Sequence, residues 1–330
     1  MDRTVAWHRM HWPQRMADLV TVGAWLTVAV AALSLGSTFA GWTRPWLTVP
    51  LQGMVPWMAL MLTVIAAVAA GTGRWTMAVM AALVVGAFTT TAVPLVRSSE
   101  PPSWAASSPA ITVVEANVLF SNRRHYEVLS VLRSTNADVL VLAEVSRAWV
   151  QSLDAAGLLD LYPFHILAPS ERGGDGAAIL SKLPFADTDR VPMGQRSLET
   201  VALRVGAVRL RLGLVHTQAP SRPRLKPRWM ADHAYLVQFA TSADPVALVG
   251  DFNSTHWHPP FRALLALGFT DAHAERGRGM TMSWPVRPFS AMRLDHALYS
   301  PGLAATSMTN IDLPGSDHNG FAVTFAVRQS

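Results

Sequence analysis

The chain has 330 residues, half of them hydrophobic and only 15% charged, against roughly 25% in an ordinary soluble domain. Its formal charge of +5 is not concentrated: residues 1–104 hold six Arg against Asp2, Asp18 and Glu100, and the rest is nearly balanced, which argues against a general nucleic-acid binder. The absence of cysteine excludes a disulfide framework, a thiolate metal site and a cysteine nucleophile.

The charge deficit is local. Between Ala17 and Val96 the only charged residues are Asp18, Arg44 and Arg74. Residues 17–40, 51–70 and 76–96 are apolar stretches of about 20 residues, each long enough to cross a bilayer. Trp42, Trp46 and Trp75 stand at their ends, as in an interfacial belt. A cleaved signal peptide would explain the first stretch only, and helices buried in a soluble core would show polar faces. The expectation is a membrane anchor over residues 1–96 with three transmembrane helices. Arg3, Arg9, Arg15 and Arg74 against Arg44 and Arg97 place the N-terminus in the cytoplasm and the rest of the chain outside a bacterial cell membrane. Residues 97–110, rich in Pro and Ser, read as a linker.

From residue 111 the pattern is that of two packed sheets flanked by helices. Strands are expected at 111–118, 138–145, 164–168, 177–182, 201–205 and 208–216, the last two joined by a Gly206-Ala207 turn. Helices fit 124–134, 228–240 and 261–267, and strands at 294–299, 304–309 and 321–327 close the sheets. The stretch Val246–Asn253 organises the rest. Residues 246–250 read as a buried strand, and alternation along an extended chain would then point Asp251 and Asn253 one way and Phe252 into the core. A carboxylate and an amide presented together suit the holding of a water against a phosphorus centre. An Asx turn closing the strand fits the same residues equally well.

The other strand ends decide between these readings. Asn117, Glu144, His216 and Asp295 also close strands, and Ser316-Asp317-His318 precedes the last one. Any one of them alone is more often a strand cap or a solvated group. Glu144 is harder to dismiss, because it ends an otherwise apolar strand where an unpaired carboxylate is costly.

Together these residues carry a resemblance. The pieces Glu115-Ala116-Asn117, Leu142-Ala143-Glu144, Val215-His216-Thr217 with Pro220, Gly250-Asp251-Phe252-Asn253, Arg293-Leu294-Asp295-His296 and Ser316-Asp317-His318 follow one another as in the endonuclease/exonuclease/phosphatase superfamily. Its members resemble DNase I, the AP endonucleases, sphingomyelinases and inositol-phosphate phosphatases. The resemblance covers residues 111–327 and implies an α/β fold, a four-layer α/β/β/α sandwich (DNase I-like), following the three spans. It also implies phosphoester or phosphoanhydride cleavage with Mg²⁺, or Mn²⁺ in its place. On that resemblance Glu144, Asn117 and Asp317 would hold the metal, and Asp251 would orient and deprotonate a water fixed by Asn253. His318, held by Asp295, and His216 would act on the phosphoryl group. Lys182 stands where many members carry Arg. His256 and His296 are assigned structural roles.

Arg222, Arg224, Lys226 and Arg228, with two prolines and Trp229, form a basic stretch. It reads either as a solvated loop or as a substrate-binding rim for a diphosphate or anionic headgroups. Three spans followed by an outward domain of this kind are similar to the VanJ-like bacterial membrane proteins linked to glycopeptide (teicoplanin-type) resistance. That implies hydrolysis of undecaprenyl pyrophosphate, a lipid carrier recycled in cell-wall synthesis. A sphingomyelinase-like phosphodiesterase or a membrane-tethered nuclease is the alternative enzyme, and a sensor domain that has lost catalysis is the non-enzyme alternative. The expected partners are a membrane lipid with a phosphate or pyrophosphate headgroup and the bilayer itself, rather than nucleic acid.

Overall fold

The long apolar runs of the N-terminal unit fold as helices, and the one punctuated by Gly53 and Pro56 is split in two. The computed structural model describes residues 4–171, 173–193, 196–285 and 290–329, so Arg3 lies outside it. Contacts divide the chain into Met1–Ala92 and Val93–Ser330. The N-terminal helices are α1 (Thr4–Phe39), α2 (Thr48–Gly53), α3 (Val55–Gly71) and α4 (Trp75–Val96). Among the described residues two helices are long and apolar enough to cross a membrane, Gln14–Phe39 with 26 residues and Trp75–Val96 with 22.

The second expected span is broken. Its helix stops at Gly53 and restarts at Val55, with Pro56 in the first turn of α3. Proline lacks the N–H that would continue the ladder, and Gly53 weakens the turn before it. The 17 residues left in α3 span about 26 Å at 1.5 Å per residue, short of a roughly 30 Å hydrocarbon core. The three expected transmembrane helices thus reduce to two of sufficient length. Val28, Ala31, Leu62 and Ala81 pack together, while Leu19, Leu26, Leu33, Val79 and Leu83 are exposed, so α1 and α4 carry apolar surface outward.

In the second unit the segment before the sheets lies against them. The Ser99 N–H donates to Glu275 O at 2.9 Å, and a 3₁₀ turn at Ser103–Ser107 seats Ala105 against Ala304 and Ala326. The elements that follow are β1 (Ala110–Asn117), α5 (His125–Ser134), β2 (Val139–Ala143), α6 (Arg147–Ala155), α7 (Leu158–Leu161), β3 (Phe164–Ala168) and β4 (Ala177–Ser181). Next come β5 (Phe185–Met193), β6 (Arg196–Val205), β7 (Val208–His216), α8 (Lys226–Leu236), β8 (Val246–Asp251) and α9 (Pro259–Ala266). The chain closes with β9 (Thr270–Asp271), α10 (Ala272–Glu275), β10 (Asp295–Tyr299), β11 (Leu303–Ile311) and β12 (Gly320–Val327).

Two six-stranded mixed sheets result, ordered β11-β12-β1-β2-β4-β3 and β5-β6-β7-β8-β10-β9. Alternation builds four layers from them. Ile111, Val113, Val139, Val141, Leu212, Leu214, Ala247, Val249 and Ala297 face inward and form the core between the sheets. Val114, Leu140 and Leu142 face α5 and α6, and Val246, Leu248 and Leu298 face the α8–α9 side. The α/β sandwich read from the sequence is the observed architecture.

β5 escaped the sequence reading because its side chains are mostly exposed and polar, so it shows no apolar alternation. The short α6, α7, β9 and α10 were also not anticipated.

Candidate active site

Parity along the strands decides which polar side chains meet. In β1, β7, β8 and β10 the inward positions include Asn117, His216, Asp251 and Asp295, each at a strand end. The parallel pairs β1·β2 and β7·β8, with register Asn117↔Ala143 and His216↔Asp251, bring those ends to one edge of the sandwich. In the antiparallel pair β8·β10, Asp295 lies opposite Asp251. The core between the sheets therefore opens at one end into a polar cleft.

The turn after β8 is built by backbone geometry. Gly250 has φ +147°, and a Cβ there would lie 1.9 Å from Val215 O, so only glycine fits. Beyond Asp251 the chain does not stay extended: Asn253 is left-handed at φ +46°, and its N–H donates to Asp251 Oδ1 at 2.7 Å. This is the Asx turn, and it also delivers the Asn253 amide to Asp251 Oδ2 at 3.2 Å. The Asx-turn reading is the one the backbone takes, and Phe252 is fully buried as expected.

Asp251 is the hub. Its Oδ2 lies 3.4 Å from Asn117 Nδ2, 3.9 Å from His216 Nε2 and 3.8 Å from His318 Nε2. His318 Nδ1 donates to Asp295 Oδ2 at 2.9 Å. Burial opposes charge on His318, but the carboxylates of Asp295 and Asp251 outweigh it and hold the imidazole up at about 10. Burial, reinforced by Asp295, raises the Asp251 carboxyl to about 7. His216 is pushed down to about 3, by burial and then by Arg196, whose Nη1 is 3.4 Å from His216 Nδ1. A neutral imidazole, an imidazolium and a carboxyl poised near neutrality therefore share one cleft.

Glu144 sits just past β2 at φ +61°, a strained backbone for a side chain with a Cβ. Its Oε1 accepts from Asn117 Nδ2 at 3.2 Å and its Oε2 from the Phe120 N–H at 3.2 Å. Asp317 Oδ2 accepts from Trp284 Nε1 at 3.0 Å, while its Oδ1 is buried without a partner. Among the described residues, Asp251, Asp295 and His318 form a cluster close enough to share a cation.

The basic stretch is a helix start rather than a loop. A 3₁₀ turn at Pro223–Leu225 runs into α8, leaving Arg222, Arg224 and Arg228 exposed and Lys226 half-buried. Trp229 fixes it to the cleft rim: its indole N–H is 3.1 Å from both Asn253 O and Ser254 Oγ. Lys182 lies elsewhere, bonded to Asn136.

Sequence reasoning passed over several cleft residues. Arg196 begins β6 beside His216 and pairs with Asp175 at 2.7 Å. Ser316 Oγ donates to Asn117 O at 2.7 Å and accepts from the His318 N–H at 3.1 Å, fixing the approach to β12. Glu115, two residues before Asn117, is buried with neither carboxyl oxygen hydrogen-bonded. Burial first, then Asp295, raises its carboxyl well above the usual range, so it stays protonated. Only inward parity next to Asn117 could have signalled it.

A model of the Endonuclease/Exonuclease/phosphatase family matches residues 114–318. No curated protein matches the chain significantly. Among solved structures it is similar to an endonuclease/exonuclease/phosphatase from Beutenbergia cavernae, at 18% identity and TM-score 0.53, over 67% of this chain and 72% of that one. A Bacteroides vulgatus endonuclease/exonuclease/phosphatase matches at 12% identity and TM-score 0.55, over 66% and 99%. D. rerio TDP2, complexed with a single-strand DNA product, matches at 17% identity and TM-score 0.54, over 66% and 99%. At these identities the likeness is one of fold.

Proposed function

The chain belongs to the endonuclease/exonuclease/phosphatase family, whose hydrolases cleave phosphoester bonds, and on that premise we propose a membrane-anchored, Mg²⁺-dependent phosphohydrolase acting on a lipid pyrophosphate. The observation that carries the reading is the meeting of Asn117, Glu144, His216, Asp251, Asn253, Asp295 and His318 at one open end of the sandwich.

The residues fit a hard divalent cation. Glu144, Asn117 and Asp317 offer oxygen donors, Asp317 Oδ1 is a buried acceptor with no partner, and Glu144 is half-buried at the edge of the cleft. Mg²⁺ held there, or Mn²⁺, would neutralise charge on a phosphate oxygen. The chain's own groups supply the rest. Asp251 takes a proton from the attacking water, which Asn253 and Asn117 orient from either side. His318, kept cationic by Asp295, presents Nε2–H toward the phosphoryl oxygens and stabilises their charge. His216 stays neutral beside Arg196, which adds a fixed positive charge for a second phosphate. Positioning and charge stabilisation are what such a transfer needs.

The lipid substrate is supported by two long apolar helices in the same chain and by the basic start of α8 beside the rim. A third crossing by the shorter α3, the extracytoplasmic placement that three crossings would give, and the VanJ-like role in carrier recycling and teicoplanin resistance belong to the same proposal. The test is product analysis with the full-length protein on undecaprenyl pyrophosphate, a sphingomyelin-type phosphodiester and DNA, with Mg²⁺ and with chelator. Phosphate released from the lipid only with metal supports the reading. Nicked DNA with no phosphate released would establish the nuclease alternative.

A further inference from the structure

On the other face of β10 from the cleft, a second cluster is built from Asp271, His273 and His296. All three are buried, with His273 and His296 fully so. His296 Nδ1 is 3.4 Å from Asp271 Oδ2, and His273 Nδ1 is 3.6 Å from Asp271 Oδ1. Both approaches are ion-pair contacts too long or misaligned for a full hydrogen bond, and they leave His296 Nδ1 and both ring nitrogens of His273 without a well-aligned partner. Unpaired polar atoms at this depth are costly, and three in one place call for an occupant.

The hydrogen bonds that do form narrow its chemistry. His296 Nε2 lies 2.9 Å from Ser254 O, and because a carbonyl only accepts, Nε2 carries the proton. With Nε2 taken by that carbonyl, Nδ1 is the nitrogen left facing the carboxylate. The His273 N–H donates to Asp271 Oδ1 at 3.0 Å and fixes that carboxylate in place. Arg293 bonds Asp295 O and Thr281 and makes no hydrogen bond to Asp271.

A carboxylate between two imidazole nitrogens is a cation site. Ligands about 2.0–2.1 Å from a tetrahedral metal stand roughly 3.3–3.4 Å apart, close to the 3.4 Å between His296 Nδ1 and Asp271 Oδ2, with His273 Nδ1 3.6 Å from the other oxygen of the same carboxylate. A His nitrogen on the metal with its other N–H on a backbone carbonyl is also the usual orienting arrangement. His256 Nδ1 is a further buried, unpaired nitrogen, electrically coupled to Asp271 and His296.

We propose that Asp271, His273 and His296 bind a structural Zn²⁺-class ion through one Asp oxygen and the two Nδ1 atoms, separate from the metal of the cleft. Mixed nitrogen and oxygen donors suit a borderline ion, whereas the oxygen donors of Glu144, Asn117 and Asp317 suit Mg²⁺. The ion ties the β9–α10 edge to β10, where His296 is the neighbour of Asp295. It acts through position, not through contact with substrate.

The test uses full-length protein in detergent, stripped with chelator and titrated with Zn²⁺ alone or Mg²⁺ alone, as wild type, His273→Phe and Asp251→Asn. The Asp251→Asn protein should keep one tight Zn²⁺ equivalent and a rise in Tm of several degrees on binding, and Mg²⁺ should not substitute. His273→Phe should lose that equivalent and that rise while its metal-free form melts like metal-free wild type, since the replaced ring has no hydrogen bonds to lose. Retention of the equivalent by His273→Phe, or its absence from Asp251→Asn, overturns the proposal. Should His273→Phe fail to fold, zinc-edge X-ray absorption on Asp251→Asn still decides: imidazole scattering from two ligands supports the site, and an all-oxygen shell overturns it. Neither readout depends on the substrate reading.

Discussion

Asp295 and His296 are neighbours on one strand, yet they feed two clusters of the same residue types on opposite faces of one sheet. On the inner face Asp295 is joined to His318 by a 2.9 Å hydrogen bond, and the cluster continues through Asn117 and Glu144 to a half-buried edge. On the outer face Asp271 stands 3.4 and 3.6 Å from two fully buried imidazoles, in contacts too long or misaligned for full hydrogen bonds. Burial and composition do not separate the two. What separates them is whether the lone pairs are spent. In the cleft those of Asp251, Asp295 and Glu144 are committed to hydrogen bonds that set protonation states, which is what proton transfer requires. Asp317 Oδ1 and the Glu115 oxygens are the exceptions. In the sealed cluster the lone pairs are left free, which is what a fixed ion requires.

The sharpest way to break this contrast is the same substitution on both faces. Asp251→Asn should lower kcat by about 10²–10³ while leaving Tm unchanged or raised, because it removes an oriented charge and a costly buried carboxyl together. Asp271→Asn should act the other way round, lowering Tm by several degrees in metal-loaded protein with a much smaller effect on kcat. Steady-state kinetics and thermal melts on the two variants measure both. Equal loss of turnover in the two would mean that the faces are not functionally distinct.

The next effect is one of pH. The folded His318 imidazole titrates at about 10, above the roughly 6.5 expected when unfolded, so folding favours its protonated form. That stability is fully present below about pH 6.5 and is lost as pH rises through about 10. The gap in unfolding free energy between wild type and His318→Gln should therefore be widest near pH 6, on the order of a few kcal/mol, and shrink steadily toward pH 10. Denaturant melts across that window measure it. A gap that stayed flat would mean that the imidazolium pairing with Asp295 is not what holds His318.

Most of this architecture was legible because strands read themselves by alternation. Ala247, Val249 and Asp251 share one face by counting alone, and the apolar β7 and β8 were placed to within a residue. Three things were not legible. Pattern alone does not choose between the two conformations open to Asn253, because the Asx turn that rotates it depends on a local hydrogen bond, which periodicity does not see. The middle apolar run looked long enough to span because hydropathy ignores what Pro56 does to a helix. The sealed cluster was missed altogether: Asp271 and His296 meet only through β9·β10 pairing across two dozen residues, and each alone looks like an ordinary core polar residue.

A smaller effect tests the open side of the contrast. Replacing Arg222, Arg224, Lys226 and Arg228 with Gln should raise apparent KM on a membrane-embedded pyrophosphate several-fold, and less on a soluble pyrophosphate. The kcat should change little, because these groups flank the cleft through Trp229 rather than enter it. An equal rise on both substrates would assign the charges to phosphate binding in general and not to a bilayer surface.

The smallest expected effect belongs to Glu115, and it is the most discriminating about protonation. Glu115 lies on the cleft side, with no hydrogen bond to either oxygen, and Asp295 and Asp251 are close enough to raise its carboxyl further. Were it ionised, it would be a third negative charge beside Asp251 and Asp295, and Glu115→Gln would relieve a large repulsion. Burial and those neighbours instead keep it neutral, and a neutral carboxyl is nearly isosteric with an amide. Glu115→Gln should then change kcat by less than about twofold and Tm by no more than a degree or two across neutral pH. Glu115→Ala differs in kind, since it opens a cavity beneath the Asp295–His318 pair and should cost about 1–3 kcal/mol of stability. If Glu115→Gln instead lowered turnover as Asp251→Asn does, the carboxyl would be exchanging a proton with the cleft, and the line between spent and unspent groups would have to be redrawn to include it.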